Sequence, residues 1–320
     1  MKQIRNILVV FPMNQASRNK LCGNFPFLTF HFAENPTREE VQEADVIFGN
    51  PDPELIRGTH LLQWIQLNSA GADRYLESGL LPDGALLTNA TGAYGLTISE
   101  HLMGMLLMLT KKLHLLRDHQ NKGIWQNAGR VKTLMNATVL VLGAGNIGTE
   151  FAKRVKAFGS YTIGVRRTPG EKPDCYDEMY LIKDLDSVLP RADAVVMALP
   201  GTPETTHIIN KERLALMKDD AVLLNVGRGS AIDTEALCDA LEAGKFWGVG
   251  VDVTEPEPLP EGHRLWKYPN VVITPHCAGG FGLEETKVYI AELFERNLGR
   301  LLAGETLENI VDFATGYRKR

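Results

Sequence analysis

Apolar positions in this chain gather into short continuous runs, and the stretches between them carry helical spacing or are polar. Before residue 95 the runs stand at 4–11, 27–32, 45–48, 61–67 and 85–87. Runs of this length, separated by helix-patterned or polar segments, predict strands paired in parallel and a small α/β domain. A helix is expected next, opening on a capping box Thr97-Ile98-Ser99-Glu100 and continuing to about Leu116. It is apolar nearly all round at first, so it should be buried between layers. Residues 117–137, with Trp125 and Gly129, read as an irregular arm or linker. From Thr138 the rhythm steadies. Strands are predicted at 138–142, 161–165, 194–199, 221–226, 247–253 and 271–274, and helices at 147–158, 211–217 and 234–243. Asn210 and Asp233 suit the N-caps of the last two. A final helix runs from about Glu284 to Leu302. There are no internal repeats and no low-complexity runs.

The strand predicted at 138–142 leads straight into Gly143, Gly145 and Gly148, in the sequence VLVLGAGNIG. Strand, glycine turn and helix in this order form a dinucleotide-binding fingerprint. The first glycine lets the chain turn, the second lets backbone approach a pyrophosphate, and the third lets helix pack on strand. Phosphates would sit at the helix N-terminus, where unpaired N–H groups and the dipole favour anions. The first strand of the chain, ILVVFP, has no such turn after it, so the cofactor belongs to the second half.

Composition narrows the partners. A net charge of −5, with 44% hydrophobic and 23% charged residues, gives no basic footprint for nucleic acid or an anionic membrane. Cys22, Cys175, Cys238 and Cys277 lie far apart without a pairing pattern, which suits a reducing compartment. The first apolar run is too short for a signal segment, and the apolar stretch at 102–109 is too short to span a bilayer. A soluble cytoplasmic protein is expected, with no metal site.

Polar residues close the later strands. AVLLNVG ends at Arg228, GVGVDV at Asp252 with Glu257 five residues on, and VVITP at His276. All stand at carboxyl ends of strands, where open parallel sheets bind ligands. Arginine can grip a carboxylate bidentately, and histidine can pass a proton to a carbonyl oxygen. A glutamate beside that histidine would orient it and stabilise its protonated form. Beside a nicotinamide, these groups are what reversible reduction of a 2-oxo acid needs.

At these residues the chain resembles the D-isomer-specific 2-hydroxyacid dehydrogenases. The matching stretches are VLVLGAGNIG, LPGTPETTHIINKERLALMKDDAVLLNVGRGSAIDTEAL and GVDVTEPEPLPEGHRLWKYPNVVITPHCAGG. The resemblance implies a Rossmann cofactor domain inserted into a flavodoxin-like substrate domain, both doubly wound parallel α/β sheets. The expected boundaries are 1–98 plus 286–320 for the substrate domain and 99–285 for the cofactor domain. It implies catalytic roles for Arg228, Glu257 and His276, with Asp252 near the nicotinamide amide. Cofactor contacts are expected from Gly143, Gly145, Asn146, Ile147, Leu199, Pro200, Val226, Gly227, Asp252 and His276. Substrate carboxylate contacts are expected from Arg228 and from the backbone of Ser69, Ala70 and Gly71. A homodimer joined largely through the cofactor domains is also implied. Two departures stand out: Cys277 replaces a common aliphatic residue after the histidine, and Arg264 stands where proline is usual.

The ribose end favours NADP(H), with NAD(H) as the alternative. NAD enzymes of this architecture carry an acid at the end of the second strand of the cofactor domain. Here that position is Arg166, followed by Arg167 and Thr168, and the next acid is Glu171. Two arginines and a hydroxyl suit a 2′-phosphate. The expected activity is hydride transfer between a nicotinamide cofactor and a 2-oxo or D-2-hydroxy acid, with the size of the substrate pocket left open. Phosphoglycerate dehydrogenase and a non-enzymatic dinucleotide sensor are the alternative readings. Glu257 argues against a formate dehydrogenase, which carries glutamine there, and the lack of a long extra tail ranks the sensor lower.

Overall fold

The computed structural model describes residues 3–314. They form two compact units, one of residues up to Tyr94 with those from Phe281 onward, the other Gly95–Gly280. The second is an insertion in the chain of the first.

In the first unit β1 (Asn6–Val9), α1 (Gln15–Asn24), β2 (Thr29–Phe32), α2 (Arg38–Gln42), β3 (Val46–Phe48), α3 (Pro53–Ile56), β4 (Trp64–Gln66) and β5 (Leu86–Thr88) follow in order. The strands pair in parallel as β2-β1-β3-β4-β5, the flavodoxin-like doubly wound order. The helices open on side-chain caps from Asn14, Thr37 and Asp52. VIF of β3 and WIQ of β4 are buried throughout, because central strands of a parallel sheet are covered on both faces.

The inserted unit begins with α4 (Gly95–Thr110) and α5 (Leu113–Asn121), then β6 (Thr138–Leu142), α6 (Asn146–Ala157), β7 (Tyr161–Arg166), β8 (Glu178–Leu181) and α7 (Leu185–Val188). It continues through β9 (Ala194–Met197), α8 (Lys211–Leu216), β10 (Val222–Asn225), α9 (Thr234–Glu242), β11 (Gly248–Val251) and β12 (Val271–Ile273). The sheet order is β12-β11-β10-β9-β6-β7-β8, parallel throughout. This is a Rossmann arrangement with its reversal at β6, which lies between β7 and β9. The crevice beyond the carboxyl ends of β6 and β9 is where such sheets take ligands.

Two local expectations are corrected. α4 starts at Gly95, so Thr97 lies inside the first turn, and its hydroxyl donates to the Ala278 carbonyl at 3.4 Å rather than capping a helix. The helix also stops at Thr110 instead of running to Leu116. The Leu109 carbonyl accepts from the Trp247 indole and the Thr110 carbonyl from the Lys132 N–H, while Lys112 takes a left-handed φ of 56° before α5 begins. β8 is not among the predicted strands: its apolar stretch at 179–182 is short and opens on Glu178, and the strand lies at the sheet edge, half-buried at every position.

α4 is buried against β10 and β11 within the inserted unit. A side chain at Gly248 would stand 2.8 Å from Leu109, and one at Gly250 2.7 Å from Met105, so glycine in β11 lets this helix approach the sheet. After β12 the chain returns to the first unit as α10 (Glu284–Ala303). There Phe294 stacks between Phe48 and Trp64, at centroid distances of 4.2 and 5.2 Å. Asn297 donates to Gln66, whose amide oxygen also accepts from Thr88, and Thr88 accepts from the Trp64 indole. This buried polar chain fixes the register of α10 on the sheet. Among the described residues, no helix is long and apolar enough to cross a membrane.

Candidate active site

The three glycines after β6 do different work. Gly143 has φ +107°, and a Cβ there would lie 2.5 Å from the Ala198 carbonyl oxygen. A Cβ on Gly148 would overlap the Gly143 carbonyl oxygen. Both are closed by protein. Gly145 differs: it is the N-cap of α6, without a side-chain cap, and nothing lies within 4 Å of where its Cβ would be. Gly145 and Asn146 are exposed, and Ile147 is half-buried. The helix N-terminus therefore faces open space over a residue with no side chain, a cradle fitting a pyrophosphate.

The neighbouring strand ends frame this turn. Gly227, which follows Val226 beyond β10, packs on the backbone of Leu199, which precedes Pro200 beyond β9. Asn225 is buried at the end of β10. Its amide donates to the Arg228 carbonyl at 2.8 Å, and its carbonyl oxygen accepts from the Gly227 N–H at 3.0 Å. This clamp fixes the backbone that carries Arg228. The Arg228 stem lies against Gly201, where a Cβ would be 3.1 Å from its Cγ, and its guanidinium donates to the Gly227 carbonyl.

His276 follows β12 in a left-handed conformation, φ 50°. Its N–H donates to the Asp252 carbonyl at 2.8 Å. Its Nδ1 lies 2.6 Å from Glu257 Oε1, and both side chains stand between 41% and 49% exposed. With Nδ1 engaged by the carboxylate, Nε2 is the ring nitrogen left to act on another molecule. Asp252 is almost fully buried, and its carboxylate accepts from the Thr274 hydroxyl, the Cys277 N–H and the Ala278 N–H. Burial and the adjacent Asp252 carboxylate push the Cys277 thiol up, so it stays protonated beside His276.

At the end of β7 the Arg166 guanidinium folds onto the Gly170 and Glu171 carbonyls, so it shapes the 166–171 loop. Arg167 is exposed and Thr168 half-buried in the same loop. In the first unit, the carbonyls at 69–71 are occupied. That of Ser69 accepts from the Ala90 N–H, that of Ala70 from Asn89, and that of Gly71 from the Ser69 hydroxyl. Among the described residues the N–H groups of Ser69, Ala70 and Gly71 donate to no protein acceptor. Also among the described residues, no group of three or more His, Cys, Asp and Glu side chains could hold a metal ion, and all four cysteines are free.

Reading the sequence for chemistry passed over Asn225, Thr274 and His101. The first carried a signal, a polar residue closing an otherwise apolar buried strand. The others gain meaning only from the partners the fold brings them.

The model of the NAD-binding domain of the D-isomer-specific 2-hydroxyacid dehydrogenases matches residues 103–278. This chain belongs to that family. The chain is 31% identical to glyoxylate/hydroxypyruvate reductase B of Serratia proteamaculans, over 86% of each chain. It is 36% identical to an uncharacterized protein of Corynebacterium melassecola, over 87% of this chain and 92% of that one. Among solved structures, a D-isomer-specific 2-hydroxyacid dehydrogenase family protein from Aeromonas salmonicida superposes with a TM-score of 0.86. That protein is 33% identical, with coverage of 97% of this chain and all of the other. An NADPH-dependent glyoxylate/hydroxypyruvate reductase from Sinorhizobium meliloti, solved with NADP and sulfate, gives 0.83 at 26% identity, covering 98% of this chain and all of that one.

Proposed function

We propose that this dehydrogenase interconverts a small 2-oxo acid and its D-2-hydroxy acid, with Arg228 as the carboxylate clamp and His276, held by Glu257, as the proton donor and acceptor. The observation that carries the reading is the 2.6 Å bond between His276 Nδ1 and Glu257. It fixes the ring and leaves Nε2 to deliver a proton to the forming alkoxide, or to take one from the hydroxyl in the reverse direction. The Arg228 guanidinium matches a carboxylate in charge and shape, and would hold the carbonyl in line with His276. In the first unit the N–H groups of Ser69, Ala70 and Gly71 suit an anion, and a substrate carboxylate is the anion this reaction offers.

The open helix end at Gly145 fits a dinucleotide, with Gly143, Asn146, Ile147, Leu199, Pro200, Val226 and Gly227 around it and Asp252 towards the amide end. A nicotinamide cofactor, when bound, supplies or accepts the hydride at the substrate carbon. Arg166, Arg167 and Thr168 at the ribose end favour NADP(H), and the Sinorhizobium reductase with NADP supports this. The names of the relatives support glyoxylate or hydroxypyruvate as the substrate class. Exposed Leu113, Leu116, Ile124 and Trp125 on α5 and the arm after it suit burial by a second copy, as a homodimer. Four free thiols support a reducing compartment such as the cytoplasm.

The test is oxidation of NADPH and NADH by the purified protein with glyoxylate, hydroxypyruvate, phenylpyruvate and 2-oxoisocaproate. Turnover with one class of acid supports the reading. Dinucleotide binding without turnover of any acid would overturn it in favour of a sensor.

A further inference from the structure

A second histidine stands behind His276. His101, on the second turn of α4, places Nε2 3.1 Å from the Thr274 hydroxyl and 3.9 Å from Asp252 Oδ1. The ring is about three-quarters shielded, at 23% side-chain exposure, and Asp252 is at 2%. Thr274 and Asp252 are the residues that hold the His276 turn. The Thr274 carbonyl and the Asp252 carbonyl both accept from the His276 N–H, while the Asp252 carboxylate takes the next two N–H groups, those of Cys277 and Ala278.

The direction of each bond follows from the inventory of donors. An ionised Asp252 can only accept, so the Thr274 hydroxyl at 2.5 Å must donate to it. That uses the one proton of the hydroxyl. Its oxygen can then meet His101 only as an acceptor, so His101 must present a protonated Nε2. The chain of donors thus runs one way, from His101 to Thr274 to Asp252, and ends on the turn that carries His276 in its left-handed conformation. A ring in the other neutral tautomer would set a lone pair against the Thr274 oxygen, and the hydroxyl would have to turn away from Asp252. The turn would then lose one of the three donors that hold the carboxylate, and His276 would lose its fixed bearing.

We propose that His101 is a positioning residue: its Nε2–H orients the Thr274 hydroxyl onto Asp252 and thereby sets His276 for proton transfer. The inference rests on the proposed role of His276, and its test separates the two. His101→Leu removes the donor at similar bulk, whereas His101→Gln keeps an N–H where Nε2 stands. Thr274→Val and Thr274→Ser form the matching pair on the next residue. The expected result with the 2-oxo acid is a kcat/KM about 10- to 100-fold lower for His101→Leu and Thr274→Val, since small misplacement of a reacting group carries costs of that size. Most of the activity should return in His101→Gln and Thr274→Ser, and the Kd for dinucleotide should stay within about threefold throughout.

Long-range proton–nitrogen spectra of the histidine rings give a readout independent of turnover. In the wild type, His101 should show a protonated Nε2, and in His101→Leu the ring signals of His276 should shift or broaden. An unprotonated Nε2 on His101, or His276 signals unchanged in His101→Leu, overturns the proposal. So does equal loss of activity in His101→Leu and His101→Gln. If the wild type reduces no 2-oxo acid, the functional reading fails and the spectra alone decide the positioning role.

Discussion

Gly229 lies directly on the carbonyl of Thr254, so that a methyl group at 229 would overlap that oxygen and crowd the N–H of Glu255. The contact joins the loop after β10, which carries Arg228, to the segment after β11, which carries Glu257. The segments that carry two groups of the proposed site are thus held by one backbone approach. Gly229→Ala must push the segments apart, and overpacking of this kind costs about 1–3 kcal/mol. The expected outcome is a lower midpoint of thermal unfolding together with a fall in kcat/KM for the 2-oxo acid. A variant with unchanged stability and turnover would show that the two loops move independently.

Gly145→Ala should behave oppositely. Its Cβ meets no protein atom within 4 Å, so the fold has room for it. In the proposed function, the space it would fill is where backbone approaches a pyrophosphate. Unfolding midpoints should match the wild type, while the dissociation constant for dinucleotide rises about tenfold or more, which fluorescence titration of the reduced cofactor reads directly. Unchanged dinucleotide affinity would remove the phosphates from this turn.

His276→Ala and Arg228→Ala separate proton transfer from substrate binding. Loss of a general acid typically costs about 10²- to 10⁴-fold in rate, so His276→Ala should lose turnover while keeping its dinucleotide affinity. Arg228→Ala should lose affinity for oxamate as well, and Arg228→Lys should recover little, since a point charge does not replace a bidentate fork. Oxamate bound equally well by wild type and Arg228→Ala would end the carboxylate assignment.

Much of this architecture is legible in the chain because parallel strands covered on both faces must be written as continuous apolar runs. The runs at 45–48 and 61–67 contain β3 and β4, and the steady rhythm after Thr138 yields the strands of the Rossmann sheet from β6 onward, with one exception. That exception, β8, lies at the sheet edge against β7 and is half-buried, so its short apolar stretch at 179–182 lacks the length of a strand covered on both faces. The end of α4 was illegible for another reason. Its carbonyls are taken by Trp247 and Lys132, and nothing at 109–112 signals partners so far along the chain. His101 and Thr274 lie 173 residues apart, and neither residue type in its own segment suggests the other. A strand-end histidine is visible in a sequence, whereas the donors that aim it are supplied by tertiary structure.

Cofactor preference can be tested at two adjacent residues with different surroundings. Arg166 donates to the carbonyls of Gly170 and Glu171, so it builds the loop proposed to face the ribose, while Arg167 is exposed at the same loop. A hydrogen bond to a charged group contributes about 1.5–3 kcal/mol, or roughly 10- to 100-fold in affinity. Arg167→Ala should therefore raise KM for NADPH by about that factor and leave KM for NADH nearly unchanged. Arg166→Asp should shift preference towards NADH, because a carboxylate accepts ribose hydroxyls and repels a 2′-phosphate. Equal effects of these variants on both dinucleotides would return the pair to a structural role.

Glu178, on the unexpected strand β8, gives the clearest pH dependence. Its carboxylate accepts from the Arg191 guanidinium at 2.5 Å and from the Tyr161 and Tyr180 hydroxyls at 2.6 and 2.5 Å. The Arg191 bond first, and then the two phenols, hold it down to about 2 from an ordinary 4.5. A carboxyl group depressed by folding contributes stability that is fully present above its unfolded value and is lost as pH falls through the folded one. The window here is therefore pH 4.5 down to about 2. Since Arg191 is partly exposed, the contribution should be about 1 kcal/mol rather than the full electrostatic value. Urea denaturation of wild type and Glu178→Gln should differ by that amount at pH 7. The gap should narrow steadily as pH is lowered from 4.5 to 3, because protonation of the wild-type carboxylate removes the same interaction that the amide lacks. A difference that stays constant across this range would mean that Glu178 acts through packing and phenol hydrogen bonds instead of through its charge.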